Sequence, residues 1–254
     1  MTVHPRERFL TVFGRNPVLE VLADSTLSVE KVVLAEGSRG GNVAEIIRAA
    51  KRRGVPVQEA SANRVKALAG NGRQDQGVVA DVIAPRMASL DSFMERTHSA
   101  NTTLLLLDAI TNPSNVGMIL RSATAAGVDG VVVPQRGTAA IGPLTIKASA
   151  GVAFAAPILR TREAGDAARA LAERGFAVVG LSGTAQRSVY DWAPVRPTVF
   201  VMGGESAGMS AQVRACLTEE VSIPMFGGVE SLNVAVAASV LCFELARRSA
   251  RQGG

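Results

Sequence analysis

Hydrophobic positions in the first third of the chain recur at helical spacing in some segments and form short runs in others. Val43, Ile46 and Ile47 follow the spacing of one helix face, and Gly54 is a typical stop signal, so a helix is predicted over 43–53. The same region contains further predicted elements: helices at 16–22 and 63–69, and strands at 31–34, 55–57 and 77–80. Together these elements predict a small α/β unit.

The apolar runs of the remaining chain lack alternation, which is typical of strands buried on both faces. Strands are predicted at 104–107, 130–133, 177–181, 198–202 and 221–223, and helices at 116–126, 165–174 and 231–248. Because strands and helices alternate, we predict a second α/β unit with a parallel sheet.

The residues between these two regions contain Pro85 and a polar helix candidate at 90–97, with no strand signal. We therefore predict a linker at 84–101. It separates a first domain at 1–83 from a second domain at 102–254.

The length and composition are those of a globular protein. The chain has 254 residues, of which 47% are hydrophobic, and its longest apolar runs are shorter than the roughly 18 residues needed to cross a bilayer. The first ten residues lack the apolar stretch of a signal peptide, so we expect a cytoplasmic protein without membrane contact. The only cysteines and histidines are Cys216, Cys242, His4 and His98, whose spacing fits no metal motif, so we expect no metal.

The charge of the chain is compatible with nucleic-acid binding. Its formal net charge is +5, and 23 of its 27 cationic residues are arginine. Arginine binds phosphate groups with two parallel hydrogen bonds, which lysine cannot do. A GC-rich genome would also enrich arginine, so both explanations stay open at this point.

A Gly-x-Ser-x-Gly sequence at 204–208 follows a predicted strand and resembles the nucleophile turn of an α/β-hydrolase. Such a hydrolase needs a histidine after its serine to accept the serine proton, and no histidine follows Ser206. The Gly-x-Gly-x-x-Gly and Gly-x-x-x-x-Gly-Lys motifs of dinucleotide and nucleotide binding are also absent. Hydrolase, dehydrogenase and nucleotide hydrolase activities are therefore not expected.

Glycine and polar residues cluster where the predicted parallel strands end, the edge at which such sheets bind ligands. Arg121 lies one helical turn after Gly117, so we expect its side chain to reach back over a position without a side chain. A cation there suits a phosphate or a developing oxyanion, although an ion pair on the surface is an alternative. Ser231 precedes the final helix and fits either an active-site residue or an N-cap.

Three segments taken together resemble the motifs of the SpoU branch of the SPOUT RNA methyltransferases. The segments are Asn112-Pro113-x-Asn115-x-Gly117-x-x-x-Arg121, Met202-Gly203-x-Glu205-x-x-Gly208, and Ser222-Ile223-Pro224-Met225 followed by Ser231-Leu232-Asn233-Val234. Residues 14–20 resemble the start of the ribosomal-protein-like RNA-binding domain found in 23S rRNA guanosine 2′-O-methyltransferases of this branch. One departure is Asp75, which stands where those relatives often have histidine.

The resemblance implies an α/β fold: a parallel-sheet SPOUT domain with a C-terminal trefoil knot, preceded by a small α/β RNA-binding domain. It implies a homodimer that binds S-adenosylmethionine. The cofactor-binding residues implied are Leu181, Gly203, Ile223, Met225 and Leu232. The catalytic residues implied are Asn115, Arg121, Glu205, Ser231 and Asn233.

The activity implied is methylation of an RNA ribose 2′-hydroxyl, with large-subunit rRNA as the expected substrate. A tRNA substrate and a non-catalytic RNA-binding or ribosome-assembly factor are the alternatives. The family's suggested base is Arg121, but removing a proton from an arginine near neutral pH costs on the order of 8 kcal/mol, so we expect Arg121 to act as a fixed cation. We expect RNA contacts from Arg15, Arg52, Arg73 and Arg121.

Overall fold

The computed structural model describes residues 8–70, 75–204 and 208–252. The chain divides into two units, with the boundary between Pro85 and Arg86. Each unit has its own sheet.

The first unit contains a four-stranded sheet with the order β1-β4-β2-β3. Its elements are β1 Phe9–Phe13, α1 Arg15–Ala23, β2 Val29–Ala35, α2 Val43–Arg52, β3 Val57–Ala60, α3 Ala62–Ala69 and β4 Val78–Ile83. Strand β4 pairs antiparallel with β1 and β2, and β2 pairs parallel with β3. The three predicted helices are present, and α2 buries Val43 and Ile46 as its spacing predicts, whereas Ile47, predicted on the same face, is 42% exposed.

Strand β1 has no counterpart among the predicted elements. Its residues alternate between half-buried and buried positions, with Leu10 and Val12 facing the core. This alternation is a strand signal, but the segment is only five residues long and follows a run of charged residues.

The second unit contains a seven-stranded sheet with the order β11-β9-β10-β6-β7-β8-β5. Its strands are β5 Ala88–Ser89, β6 Thr103–Asp108, β7 Gly130–Pro134, β8 Ile158–Thr161, β9 Ala177–Leu181, β10 Thr198–Gly203 and β11 Glu219–Val221. All of the pairs are parallel, which confirms the predicted parallel α/β sheet. The leucines at 104–107 are fully buried, as a central strand requires.

Helices cover both faces of this sheet. They are α4 Leu90–Met94, α5 Pro113–Ala125, α6 Pro143–Ala148, α7 Ala164–Glu173, α8 Ala211–Arg214 and α9 Val234–Gln252. Because side chains alternate along a strand, Leu104 and Leu106 pack with Ala168 and Leu171 of α7, and the alternate residues face the opposite side. No described helix is long and apolar enough to cross a membrane.

The segment predicted as a linker is folded into the second unit. Strand β5 pairs with β8 at the sheet edge, and Leu90 and Met94 of α4 join the core cluster. The prediction failed because β5 has only two residues, too few to give a periodic signal.

Candidate active site

A cavity of about 470 Å³ lies at the carboxyl ends of β9 and β10. Its lining includes all five residues that the resemblance implies for cofactor binding: Leu181, Gly203, Ile223, Met225 and Leu232. These residues belong to segments that are separated along the sequence and converge only in the fold. A parallel sheet produces such convergence because its strand ends share one edge.

Glycine is required at the wall of the cavity where β10 ends. A Cβ on Gly203 would lie 2.7 Å from both the carbonyl carbon of Gly208 and the nitrogen of Met209. The two ends of the following loop are joined by hydrogen bonds between Gly204 and Gly208, at 3.2 and 2.9 Å. Glu205 and Ser206 lie between these ends and outside the described residues.

A side-chain hydrogen bond connects the cavity to helix α5. Asn233 lines the cavity, and its Nδ2 donates to Oδ1 of Asn115 at 3.2 Å. Asn115 is only 3% exposed, in the first turn of α5. The Oδ1 of Asn233 accepts from the nitrogens of Ala235 and Val236, so the same side chain caps the start of α9.

Arg121 lies on the exposed side of α5, and Ser231 is exposed at the cavity wall. Within the described ranges, the Arg121 side chain makes no hydrogen bond or ion pair. The expectation for Gly117 is wrong: a Cβ there would lie 2.4 Å from the carbonyl oxygen of Thr145. Gly117 is needed because α6 packs against it, and it leaves no groove for Arg121.

The cavity lining also includes residues to which the resemblance gives no site role, namely Ser182, Gly183, Met202, Met209, Arg214 and Glu230. Four of them lie in segments that the sequence places at the ligand edge of the sheet: Ser182, Gly183, Met202 and Glu230. Arg214 carries no local signal, because it is the last residue of the short helix α8, which only the fold brings to the cavity. Met202 and Ser182 flank predicted strand ends, so their positions at the sheet edge were available from the sequence.

The segment that follows β9 and leads from the cavity wall is held by hydrogen bonds on two sides, at Val189 and Tyr190. The backbone N–H of Val189 donates to the carbonyl oxygen of Ser222 at 2.8 Å. Ser222 directly precedes the cavity residue Ile223. On the other side, Nη2 of Arg248 donates to the carbonyls of Val189 and Tyr190 at 3.0 and 2.6 Å. Helix α9 therefore supports the wall through Arg248.

Asp108 is a buried acid at the carboxyl end of β6, 4% exposed. Its Oδ2 accepts the backbone N–H of Ser210 at 2.6 Å, so it fixes the residues after the 204–208 loop. Its sequence position, directly after four leucines, is a signal for a residue at the ligand edge of the sheet.

The basic residues of the first unit differ in their environments. Arg52 is exposed, whereas Arg53 donates to the backbone carbonyls of Val21, Leu22 and Asp24 at 3.0, 3.3 and 2.8 Å, and also to that of Leu27. The Arg53 side chain therefore caps the carbonyl groups at the C-terminal end of α1.

The Arg15 side chain donates to the carbonyls of Gln76 and Gly40 at 3.3 and 3.1 Å. Asp75 is buried, and its Oδ1 accepts from the nitrogen of Gly77 at 2.7 Å, so this acid shapes a turn. Arg73 lies outside the described residues.

His98 and Cys242 are placed for packing and not for catalysis. His98 stacks on Phe93 with ring centroids 4.4 Å apart, and its Nε2 lies 3.1 Å from the Phe93 carbonyl oxygen. Burial raises the pKa of the Cys242 thiol to about 12, so this thiol is not a nucleophile at neutral pH. In the described part of the chain, no group of three or more His, Cys, Asp or Glu residues is placed to hold a metal ion.

The family of the chain follows from its match to known domain families. Residues 102–243 match the SpoU rRNA methylase family. The chain belongs to this family. Residues 11–88 match the substrate-binding domain of RNA 2′-O ribose methyltransferases, so the SpoU assignment covers both units.

Relatives of this SpoU methylase match over most of their length. It is 33% identical to the 23S rRNA (guanosine-2′-O-)-methyltransferase RlmB of Shewanella oneidensis, covering 93% of the chain and 96% of the relative. It is 35% identical to an uncharacterized tRNA/rRNA methyltransferase of Mycobacterium marinum, covering 94% and 77%. The crystal structure of the SpoU methyltransferase AviRb from Streptomyces viridochromogenes, in complex with S-adenosylmethionine, superposes with a TM-score of 0.63 at 25% identity, covering 98% and 93%.

Proposed function

We propose that this SpoU family member methylates a ribose 2′-hydroxyl of large-subunit rRNA, with S-adenosylmethionine as the methyl donor. One observation carries the assignment of the site: the 3.2 Å bond between Asn233 and Asn115 joins the cavity to the helix that carries Arg121. A bound cofactor and a catalytic cation would thus share one site.

The cavity suits S-adenosylmethionine in size and chemistry. Its volume of about 470 Å³ lies within the range of cofactor sites. Apolar side chains such as Leu181, Ile223 and Leu232 can enclose an adenine ring, and Gly203 lets the backbone of Gly208 and Met209 pack closely against the cavity wall. Bound there, S-adenosylmethionine supplies a methyl group on a positively charged sulfur.

The residues around the cavity have distinct proposed roles. The hydrogen bond between Asn233 and Asn115 holds the start of α9 at a fixed distance from the start of α5. This distance would keep the methyl group of the cofactor aligned with the ribose hydroxyl of the RNA. Ser231 is exposed at the cavity and can hydrogen-bond a ribose or phosphate oxygen. Glu205, on the loop closed by Gly204 and Gly208, is assigned to the site by motif alone.

Arg121 is proposed to stabilise negative charge. Its exposed guanidinium has no protein acceptor in the described ranges, so it is available to an RNA phosphate and to the ribose oxygen as its proton leaves to water. An Arg121→Ala protein should bind RNA nearly normally and lose most methyl transfer. An Arg121→Lys protein should also be impaired, because lysine cannot form two parallel bonds; near-full activity of that variant would contradict the role.

The first unit is proposed to bind the RNA substrate through exposed cations of α2, including Arg52, and through Arg73. For Arg15, a direct RNA contact would add to its bonds with two loops. The RlmB relative supports rRNA, whereas other relatives named tRNA/rRNA methyltransferases keep tRNA as the second candidate. Either substrate would place the enzyme in the cytoplasm.

A homodimer is proposed from the apolar residues that face solvent. On α9, Val236 and Phe243 are 49% and 54% exposed, and Met118 of α5 is 40% exposed. Burial of these side chains against a second copy would remove apolar surface from water. The trefoil knot stays a prediction from the family resemblance.

Methyl transfer tests the proposal directly. The purified protein is incubated with methyl-labelled S-adenosylmethionine and separate unmodified rRNA and tRNA pools, and labelled nucleotides are mapped. Ribose label in large-subunit rRNA is expected. Label confined to tRNA would select the second substrate, cofactor binding without label would favour a binding factor, and no cofactor binding would contradict the enzyme assignment.

A further inference from the structure

Arg160 is a half-buried cation that forms no ion pair with the described residues. It lies on β8, in register with Val133 of β7 on one side and with Ser89 of β5 on the other. Across the described ranges, its guanidinium makes no hydrogen bond and no ion pair. Most arginines that are removed from water have such a partner, so this position needs an explanation.

Removal from water destabilises an unpaired charge. The effect is visible in the pKa of Arg160, which burial lowers from its ordinary value. An anion bound at this position would replace the lost hydration and restore a favourable environment. The residue is thus better suited to a ligand complex than to the free protein.

Arg160 and Arg162 form a positively charged corner at the carboxyl end of β8, because the neighbouring acids pair with other arginines. Arg162 lies one residue beyond the end of β8, in a bend; it is exposed, and among the described residues its side chain makes no hydrogen bond or ion pair. The nearby acids are already engaged: Glu163 pairs with Arg136 at 3.0 Å, and Asp166 with Arg169 at 3.9 Å. Neither Arg160 nor Arg162 therefore forms an ion pair with a carboxylate among the described residues.

This corner lies at the same sheet edge as the proposed active site. Strand β7 ends at Pro134, and the loop that follows packs on the loop after β6, where the nitrogen of Ala139 donates to Ile110 at 2.9 Å. The chain then continues from Ile110 into α5, which carries Arg121. The two sets of cations therefore lie at the same edge of the sheet, with β6 and β7 between β8 and the cavity strand β10.

We propose that Arg160 and Arg162 form a subsite for a backbone phosphate of the substrate RNA, held beside the nucleotide that is methylated. The inference rests on the proposed function, because it places the RNA at the active-site edge of the sheet. Two guanidinium groups match the several acceptor oxygens of a phosphodiester. The contact is independent of base identity, so it would fix the position of the RNA on the enzyme.

RNA binding without cofactor tests the subsite. Filter binding of transcribed large-subunit rRNA is measured from low to high salt for wild type, Arg160→Lys, Arg162→Gln and the control Arg169→Gln. The control removes one exposed charge from α7, so it matches the charge change of Arg162→Gln. We expect Arg162→Gln to weaken binding about tenfold and to reduce the slope of log affinity against log salt by about 1, for every RNA sequence tried.

Arg160→Lys keeps the charge but loses the planar fork, so we expect weaker RNA binding with unchanged cofactor binding and unchanged thermal unfolding. As a second measurement, the stabilisation by added inorganic phosphate is followed by thermal unfolding of the wild type and of both variants. Wild-type affinity and salt slope in both variants would overturn the proposal. So would loss of phosphate-dependent stabilisation with RNA binding intact, because that result describes a site for a small free anion.

The outcomes separate this inference from the proposed function. A wild-type protein that neither binds S-adenosylmethionine nor methylates RNA contradicts the proposed function, whatever the salt slopes are. A wild-type protein that methylates RNA while Arg162→Gln and Arg169→Gln bind it equally well contradicts only the phosphate subsite.

Discussion

The Nε of Arg248 lies 2.6 Å from Oε1 of Glu244, one helical turn earlier on α9. Glu244 is only 7% exposed and also accepts two hydrogen bonds from Arg247, at 2.8 and 2.7 Å. Because Arg248 also holds the backbone of Val189 and Tyr190, this buried carboxylate orients the arginine that supports the cavity wall.

Glu244 should make stability depend on acidic pH. The hydrogen bonds from Arg247, together with the Arg248 pair, lower the pKa of Glu244 from 4.5 to about 2. A carboxylate whose pKa is lower in the folded state stabilises that state fully above its unfolded pKa, and the contribution disappears as pH falls from about 4.5 towards 2.

The test is urea unfolding of wild type and Glu244→Gln from pH 7 to pH 3. The variant should be less stable by about 1 to 3 kcal/mol at pH 7, and the difference should narrow below pH 4.5. An equal difference at every pH would show that the ion pairs of Glu244 are not its source.

Arg52 and Arg53 form a matched pair for separating RNA binding from stability. Arg53→Ala should destabilise the first unit by about 2 kcal/mol, because several backbone carbonyls at the end of α1 lose their donor. Arg52→Ala should change stability by no more than about 0.5 kcal/mol and should weaken RNA binding. Urea unfolding and filter binding measure both properties, and equal destabilisation by the two changes would argue against the assigned environments.

Gly117→Ala should disturb the packing of α6 on α5. The added Cβ would lie 2.4 Å from the Thr145 carbonyl oxygen and 2.8 Å from the Ala148 Cβ, so backbone must move. We expect a loss of about 1 to 3 kcal/mol by chemical unfolding. Ala125→Ser, at an exposed position of the same helix, is the control and should be nearly neutral; similar losses in both variants would point to general helix weakening.

Asn233→Asp should remove the hydrogen bond from Asn233 to Asn115 while keeping the cap at the start of α9. An aspartate still accepts from the nitrogens of Ala235 and Val236, but it cannot donate to Asn115. The variant should keep the cap of α9, lose about 1 kcal/mol of stability because Asn115 Oδ1 loses this donor, and lose at least about tenfold in methyl transfer. Full activity with the link removed would exclude the bond as an alignment device.

Much of the fold was accessible from the sequence because buried parallel strands are long apolar runs. The helix over 43–53 and the strand at 177–181 agree with the structure almost to the residue. The last strand was predicted at 221–223, but β11 is Glu219–Val221. An edge strand can carry two glutamates, whereas Ile223 leaves the sheet to line the cavity.

The candidate site was accessible only as separate motifs. The sequence marked Asn115 and Asn233 as polar residues near helix starts, but their contact joins positions 118 residues apart. Likewise, nothing local distinguishes Arg52 from Arg53, because the difference is set by where the end of α1 lies. Arg160 was missed because its lack of a partner among the described residues is a property of three-dimensional packing.

The strand order also bears on how this protein is made. Strand β10 lies between β6 and β9, and Thr103 of β6 pairs with Thr198, 95 positions later. Strands β6, β7 and β8 can join as they leave the ribosome, but β9 finds its neighbours only when β10 and β11 follow. Before β10 is made, a growing chain has β5 to β8 on one side and only β9 on the other, so we expect insertion of β10 to be a late step in the assembly of this sheet.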